Sequence, residues 1–179
     1  MKKLSLILAL CLLVSSLTGC GLIGSVIGNV ADDVVGDMLS DTTKTFSTSE
    51  LSIEVPVTMS DVSAQAEFKG FDMAVANDKV AIIAIKESRA DFDGGADMTV
   101  EQYTDLVLQA NQLDSKAVAR ENEDYLYFTF DASSEGMNFR YLGATFAADD
   151  CFWFVQVYSL VSDFDKTAFL GYLDTLVIK

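Results

Sequence analysis

The chain has 179 residues, of which half are apolar and 22% are charged, and its formal net charge is −15. This length fits one domain with or without a tether, and the apolar content excludes a disordered or fibrous chain. The acidity argues against nucleic-acid binding, which needs a basic footprint. The sequence contains no His, which excludes Ser-His and Cys-His nucleophiles and removes the commonest metal ligand.

The N-terminus has the order of an export signal. Lys2 and Lys3 precede an uncharged apolar run, residues 4–14, which is too short to cross a bilayer and is typical of a signal peptide. The four residues that end at Cys20, Leu-Thr-Gly-Cys, resemble the bacterial lipobox. That resemblance implies cleavage before Cys20 and a diacylglycerol on its sulfur, and two acyl chains suffice for stable anchoring.

The first 19 residues are therefore interpreted as a lipoprotein signal peptide, with the membrane as a partner through lipidated Cys20. The alternative is an uncleaved anchor, because residues 4–30 carry no charge and are long enough to span a membrane. Both interpretations place the folded part outside the cytoplasm. Removal of residues 1–19 leaves a net charge of −17, which keeps a protein soluble and repels anionic surfaces.

Residues 20–43 contain four acids, no base and apolar residues at helical spacing, so they are expected to form an acidic, partly helical tether. A single folded domain is expected over residues 44–179. Its predicted strands are 51–55, 67–76, 80–85, 125–131, 137–147 and 151–160, because their apolar residues alternate or run continuously. Cys151 lies in the last of these strands and is expected to be a small core residue.

Two helices are predicted in this domain. The first begins at Thr99, which forms a capping box with Gln102, and ends near Gln112. The last begins at 162–165 and carries its apolar face through Val177. The order of elements predicts an α+β fold, an α/β/α sandwich with a mainly antiparallel sheet flanked by helices.

Three features also resemble the PsbP/DcrB-like superfamily, which includes the Ran-binding Mog family. They are the strand 51–56, the helix start 98–103 and the long strand 152–159 before a C-terminal helix. The resemblance covers residues 44–179 and implies a non-catalytic accessory or interaction role. It supplies no functional residue to transfer.

Arg140 is a lone basic residue in an aromatic strand. A four-residue loop over 133–136 would pair Asp131 with Asn138 and would place Arg140 diagonal to Asp131 and Tyr127. Tyr and Arg are enriched at binding hot spots, so Tyr125, Tyr127, Asp131 and Arg140 form the candidate interaction surface. The alternative is an ion pair that serves only the sheet.

Asp91, Asp93 and Asp97 invite an EF-hand interpretation, but position 6 of that loop is Ala96 and position 12 is Gln102, where Gly and Glu are needed. They remain weak candidates for a looser Ca²⁺ site, and the residues call for no cofactor. The leading hypothesis is a lipid-anchored extracytoplasmic module that binds an envelope protein or a small ligand without catalysis. The alternatives are a cation-binding envelope lipoprotein using this loop and a hydrolase using paired carboxylates.

Overall fold

The computed structural model describes residues 42–179 except 122 and 135. The predicted signal peptide, Cys20 and nearly all of the predicted tether lie outside the described residues. The two α-helices of the described part are α1 (Val100–Ala110) and α2 (Lys166–Leu173). Its strands are β1 (Thr43–Ser47), β2 (Leu51–Pro56), β3 (Ser60–Asp61), β4 (Met73–Ala76), β5 (Val80–Ser88), β6 (Val118–Ala119), β7 (Tyr125–Ser134), β8 (Met137–Ala147), β9 (Cys151–Leu160) and β10 (Val177–Ile178).

Most strands belong to one antiparallel sheet of seven, in the order β3-β4-β5-β9-β8-β7-β6. The two strands with the longest apolar runs, β5 and β9, are neighbours inside it and are buried on both faces. This is the placement that apolar side chains on both sides of a strand require. The edge strands β3 and β6 have two residues each, which leaves little edge open for pairing with another chain.

Different elements cover the two faces of this sheet. On one face, α2 and a second sheet, β1-β2-β10, enclose the odd-numbered residues of β9, including Trp153 and Val155. On the other face, α1 packs on the even-numbered Phe152 and Phe154, and residues 62–72 cover the part nearest β4. The predicted α+β class and the antiparallel sheet between helices are confirmed.

The N-terminus of α1 follows the sequence prediction. Thr99 accepts a bond from the Gln102 backbone N–H, and the Gln102 side chain accepts one from the Thr99 backbone N–H. This reciprocal capping satisfies two donors that a helix start leaves unpaired.

Two predicted boundaries are wrong, and one strand was missed. The strand expected at 67–76 begins only at Met73, because a 3-10 turn at Ala66–Phe68 and Gly70, with φ +104°, interrupt it. The last helix ends at Leu173, since the chain then turns and Val177 pairs with Ser52 of β2. The strand β1 was not predicted.

The fourth correction concerns the hairpin between β7 and β8. Its strands extend to Ser134 and Met137, which pair with each other, so the connection is shorter than the four-residue loop that was predicted. Gly136 has φ +81°, which a tight hairpin turn requires and which glycine adopts without strain. The tighter loop shifts the register by two residues and leaves every side chain on the face that was predicted.

Candidate functional site

The observed register of the β7–β8 hairpin brings two residues of the candidate interaction surface, Asp131 and Arg140, together. Asp131 lies directly opposite Arg140. The Arg140 guanidinium donates to both carboxylate oxygens of Asp131, from Nε at 2.6 Å and from Nη2 at 2.8 Å. This paired geometry is the strongest form of a carboxylate–guanidinium contact. It also holds the pKa of the Asp131 carboxyl below its ordinary value.

The pair remains accessible. The side chains of Arg140 and Asp131 are 40% and 54% exposed, so solvent screens their attraction and the pair contributes little to stability. Arg140 also lies over the ring of Phe164, with its guanidinium carbon 5.7 Å from the ring centre. The guanidinium is therefore held in one place without being buried.

A second cation lies over a second ring on the same face. Lys166 Nζ is 4.8 Å from the centre of the Tyr127 ring. Lys166 is the first residue of α2, whose start is fixed by Asp165, because its carboxylate accepts from the N–H groups of Thr167 and Ala168. The cap thus positions Lys166 against the hairpin.

We name this surface the hairpin–helix patch, and it consists of Tyr127, Asp131, Arg140, Phe164 and Lys166. The sequence predicts the three residues from the hairpin but not Phe164 and Lys166. Nothing in the sequence links the start of α2 to the hairpin, since the two meet only through tertiary packing.

Tyr125 does not belong to the patch. It is 3% exposed, its ring stacks on Phe146, and its hydroxyl donates to Asp174 Oδ1 at 2.7 Å. Arg120 donates to the same carboxylate from Nε at 3.0 Å and from Nη2 at 2.6 Å. This three-residue cluster joins the β6–β7 side of the sheet to the end of α2, which is a structural role.

The loop with Asp91, Asp93 and Asp97 is organised around the side chain of Arg89, which points inward. The guanidinium of Arg89 donates to the backbone carbonyls of Ala148, Gly95 and Met98. Within the described residues, no three Asp, Glu or Cys side chains come together as a group that could hold a metal ion. The cation-binding hypothesis therefore gains no support from the loop.

One carboxyl is enclosed by the protein. Glu87 is 8% exposed and accepts a 2.5 Å hydrogen bond from the hydroxyl of Tyr103 in α1. Burial raises the pKa of the Glu87 carboxyl, and the charge of Asp91 raises it further, while the Tyr103 hydroxyl opposes both. The Tyr103 ring stacks on Phe152, so this pair fastens α1 to the sheet, and the hydrolase hypothesis gains no accessible carboxylate from it.

Comparison with known proteins places the fold. No protein-family model matches the chain, and no curated protein matches its sequence. The cyanobacterial PsbP (CyanoP) of Synechocystis sp. PCC 6803 is similar in structure, with a TM-score of 0.52 at 13% identity over 85% of this chain and all of that one. The described fold is therefore PsbP-like.

Two weaker similarities were also found. A protein of Bacteroides thetaiotaomicron gives a TM-score of 0.49 at 14% identity, over 72% of this chain and 45% of that one. LpqN, described as involved in cell envelope biogenesis of Mycobacterium tuberculosis, gives 0.42 at 11% identity, over 77% and 91%. No helix of the described part has the length and apolar content needed to cross a membrane.

Proposed function

We propose that the protein is a lipid-anchored extracytoplasmic accessory module, which binds another envelope protein through the hairpin–helix patch and catalyses no reaction. The observation that carries this proposal is the patch itself. Two cationic side chains, Arg140 and Lys166, each lie over an aromatic ring on one half-exposed face, and Arg140 is also paired with the carboxylate of Asp131. The PsbP-like fold and the lipobox resemblance support the accessory role and the anchor.

The chemistry of the patch suits recognition of a protein. Tyr and Arg are the residue types enriched at binding hot spots. Because Asp131 and the Phe164 ring already hold Arg140, its side chain loses little freedom when a partner binds. The patch presents two cations and one carboxylate on a chain that is otherwise strongly acidic, so it favours a partner with both charges at matching positions.

Site-specific photo-crosslinking in the anchored protein tests the patch. A benzophenone amino acid at Thr129, which lies on the same strand face between Tyr127 and Asp131, should give one adduct of defined mass. The matched control carries the same crosslinker at Gln109, which is exposed on α1 on the opposite face of the sheet. We expect an adduct from position 129 that is absent from position 109 and is lost in Arg140→Ala.

Arg140→Ala should leave the fold intact, because exposed pairs of this kind contribute at most about 1 kcal/mol. An adduct that persists in Arg140→Ala, or that forms equally from position 109, would overturn the patch as the docking surface.

The anchor is tested separately. Cys20→Ala should abolish incorporation of a clickable palmitate analogue and should move the protein out of the lipid-labelled membrane fraction. The conservative Cys151→Ala change is the control, because Cys151 is buried in β9 and should leave labelling unchanged. Membrane retention of Cys20→Ala without any label would favour the uncleaved helix over the lipid anchor.

A further inference from the structure

The small sheet ends in a strand whose outer edge is open. Its order is β1-β2-β10, and among the described residues β1 pairs with β2 alone. The end strands of the large sheet have two residues each, whereas β1 has five, in unbroken register with β2. Of the features that keep a sheet edge from pairing with another strand, such as Pro, a bulge or charge, β1 has only the single charge of Lys44.

Hydrogen bonds of β2 show which backbone groups of β1 face outward. The Val57 N–H donates to the Thr42 carbonyl, so the even-numbered residues at this edge bond to β2. The Glu54 N–H donates to Thr175 Oγ1, on the side of β2 away from β1. Because the two directions alternate along an antiparallel strand, the N–H and C=O groups of the odd-numbered residues of β1 point to the open edge. These outward residues are Thr43, Thr45 and Ser47.

The outward backbone groups of β1 are accessible to a further strand. Their side chains are small hydroxyls, and all three residues are exposed. Water satisfies these groups in a single copy, so they do not require a protein partner. They do form a row of donors and acceptors in strand geometry, which is the arrangement that pairs with an added strand.

The sequence of β1 is complementary to a second copy of itself. In an antiparallel pair centred on Thr45, Thr45 faces Thr45 and Thr43 faces Ser47 of the second copy, so every outward residue meets another outward residue and about six hydrogen bonds form. On the other side of the strand, Lys44 faces Phe46 of the second copy, which is a cation–aromatic contact. A register shifted by two residues loses one of these pairs, and in one direction it sets Lys44 against Lys44, which is unfavourable.

Anchoring to a membrane favours a second copy as the occupant of this edge. Thr43 lies 23 positions after Cys20, and that length of chain spans at most roughly 80 Å. The β1 strand of every anchored copy therefore stays near the membrane, which raises the local concentration of identical strands. This step rests on the anchor of the proposed function. In dilute solution the acidity of the chain opposes the approach of two copies, so we expect the pairing on the membrane.

We propose that β1 pairs with β1 of a second copy of this chain, antiparallel and centred on Thr45, so that two small sheets join into one across a membrane-anchored dimer. No residue of β1 belongs to the hairpin–helix patch. Pairing of the two copies and binding of another envelope protein are therefore tested by different variants.

Single cysteines in the full chain, oxidised with copper-phenanthroline in membranes of the expressing cells, test the register. Thr45→Cys places two thiols opposite each other at a Cα separation of about 5.5 Å, which a disulfide spans, so we expect a disulfide-linked dimer. Thr43→Cys and Ser47→Cys should each give at most about a tenth of that dimer when expressed alone. Expressed together, they should give a mixed dimer, because each faces the other. The parent chain, whose Cys151 is buried, supplies the background.

A proline variant tests the backbone bonds. In the Thr45→Cys chain, Thr43→Pro removes an N–H that points to the open edge and breaks no bond to β2. It should slow disulfide formation at least about fivefold, whereas Thr43→Val, which keeps the N–H, should not. Equal dimer yields from the three cysteine positions, or a rate unchanged by Thr43→Pro, would overturn the proposal.

The anchor and the pairing fail in different ways. Labelling of the same membranes with the palmitate analogue reports on the anchor, and a chain held by an uncleaved helix is oxidised in the same way. A labelled chain that gives no Thr45→Cys dimer refutes the pairing alone. A Thr45→Cys dimer in an unlabelled chain supports the pairing and refutes the lipid anchor.

Discussion

The cluster around Asp174 is expected to be the strongest polar contact between α2 and the large sheet. Asp174→Ala removes a carboxylate that accepts from the buried Tyr125 hydroxyl and from two nitrogens of Arg120. The Tyr125 hydroxyl would then be left without its partner. Tyr125 lies among apolar residues beneath α2, and its remaining polar neighbour, Arg120, has only donors, so Arg120 does not replace the lost acceptor.

The magnitude follows from the two kinds of contact. A hydrogen bond from a buried hydroxyl to a charged group contributes about 1.5–3 kcal/mol. The Arg120 pair is 32% and 26% exposed, so solvent screening limits its contribution to about 0–1 kcal/mol. We therefore expect Asp174→Ala to lower the free energy of unfolding by about 1.5–4 kcal/mol, which is a large share of the roughly 5–15 kcal/mol typical of a domain.

Urea unfolding followed by tryptophan fluorescence measures this loss. Trp153 is the single tryptophan of the chain and is 1% exposed, so its emission reports on the core between α2 and the sheet. A loss of this size should lower the unfolding midpoint by on the order of 1 M urea or more. Asp114→Ala is the matched control, because Asp114 is exposed and ordinary surface changes stay within about 0.5 kcal/mol.

A double-mutant cycle with Tyr125→Phe isolates the hydroxyl–carboxylate contact. The two single losses should sum to at least about 1 kcal/mol more than the loss in the double variant. If Asp174→Ala costs no more than Asp114→Ala, or if the cycle is additive, the reasoning about Tyr125 is refuted. Tyr125→Phe should also leave crosslinking from position 129 unchanged, because Tyr125 lies outside the hairpin–helix patch.

Three further outcomes are expected. The pKa of the Glu87 carboxyl is raised in the folded state, so the free energy of unfolding should fall as pH rises from the pKa of an unfolded Glu, about 4.3, through the higher folded value. The urea midpoint of Glu87→Gln should not show this fall, and an equal pH dependence of the midpoint in both proteins would contradict the prediction. Gly143→Ala would place a Cβ 2.8 Å from the Phe128 ring, which should lower the free energy of unfolding by about 1–3 kcal/mol. Adding Phe128→Leu should recover part of that loss, whereas a Gly143→Ala variant as stable as the parent would show that the ring moves freely. Burial raises the pKa of the Cys151 thiol, so a disulfide reagent near neutral pH should modify it only at the rate of unfolding, whereas rapid modification of folded protein would contradict its placement in the core.

Local chemistry was sufficient to predict several parts of this protein. The capping box at Thr99 and Gln102 fixes the start of α1 because both partners lie within one turn of chain. The even and odd residues of β9 separate onto two faces because side chains of a strand alternate. The period-2 rule also explains why Phe128, Phe130 and Tyr141 lie on the predicted face, although the register was wrong by two residues.

The candidate site was only partly predictable, because only its hairpin residues are close to one another along the chain. The sequence placed Asp131 and Arg140 within reach of each other because a short hairpin joins them, but it predicted a diagonal contact, since the loop length decides whether they are opposite or diagonal. Tyr125 was grouped with them by strand periodicity alone, and its burial against Asp174, 49 positions away, carries no local signal. Phe164 and Lys166 were missed because the packing of α2 on the sheet brings them to the hairpin.

The sequence by itself determined the composition class, the α+β pattern and the positions of most strands, and it predicts export and anchoring at Cys20. Each of these depends on residues that are neighbours along the chain. The tertiary structure decided that β10 pairs with β2, that Arg89 turns inward under the acidic loop, and that Tyr125 is buried against Asp174. Those facts arise from contacts between distant segments, whose geometry is fixed only when the two sides of the sheet are covered.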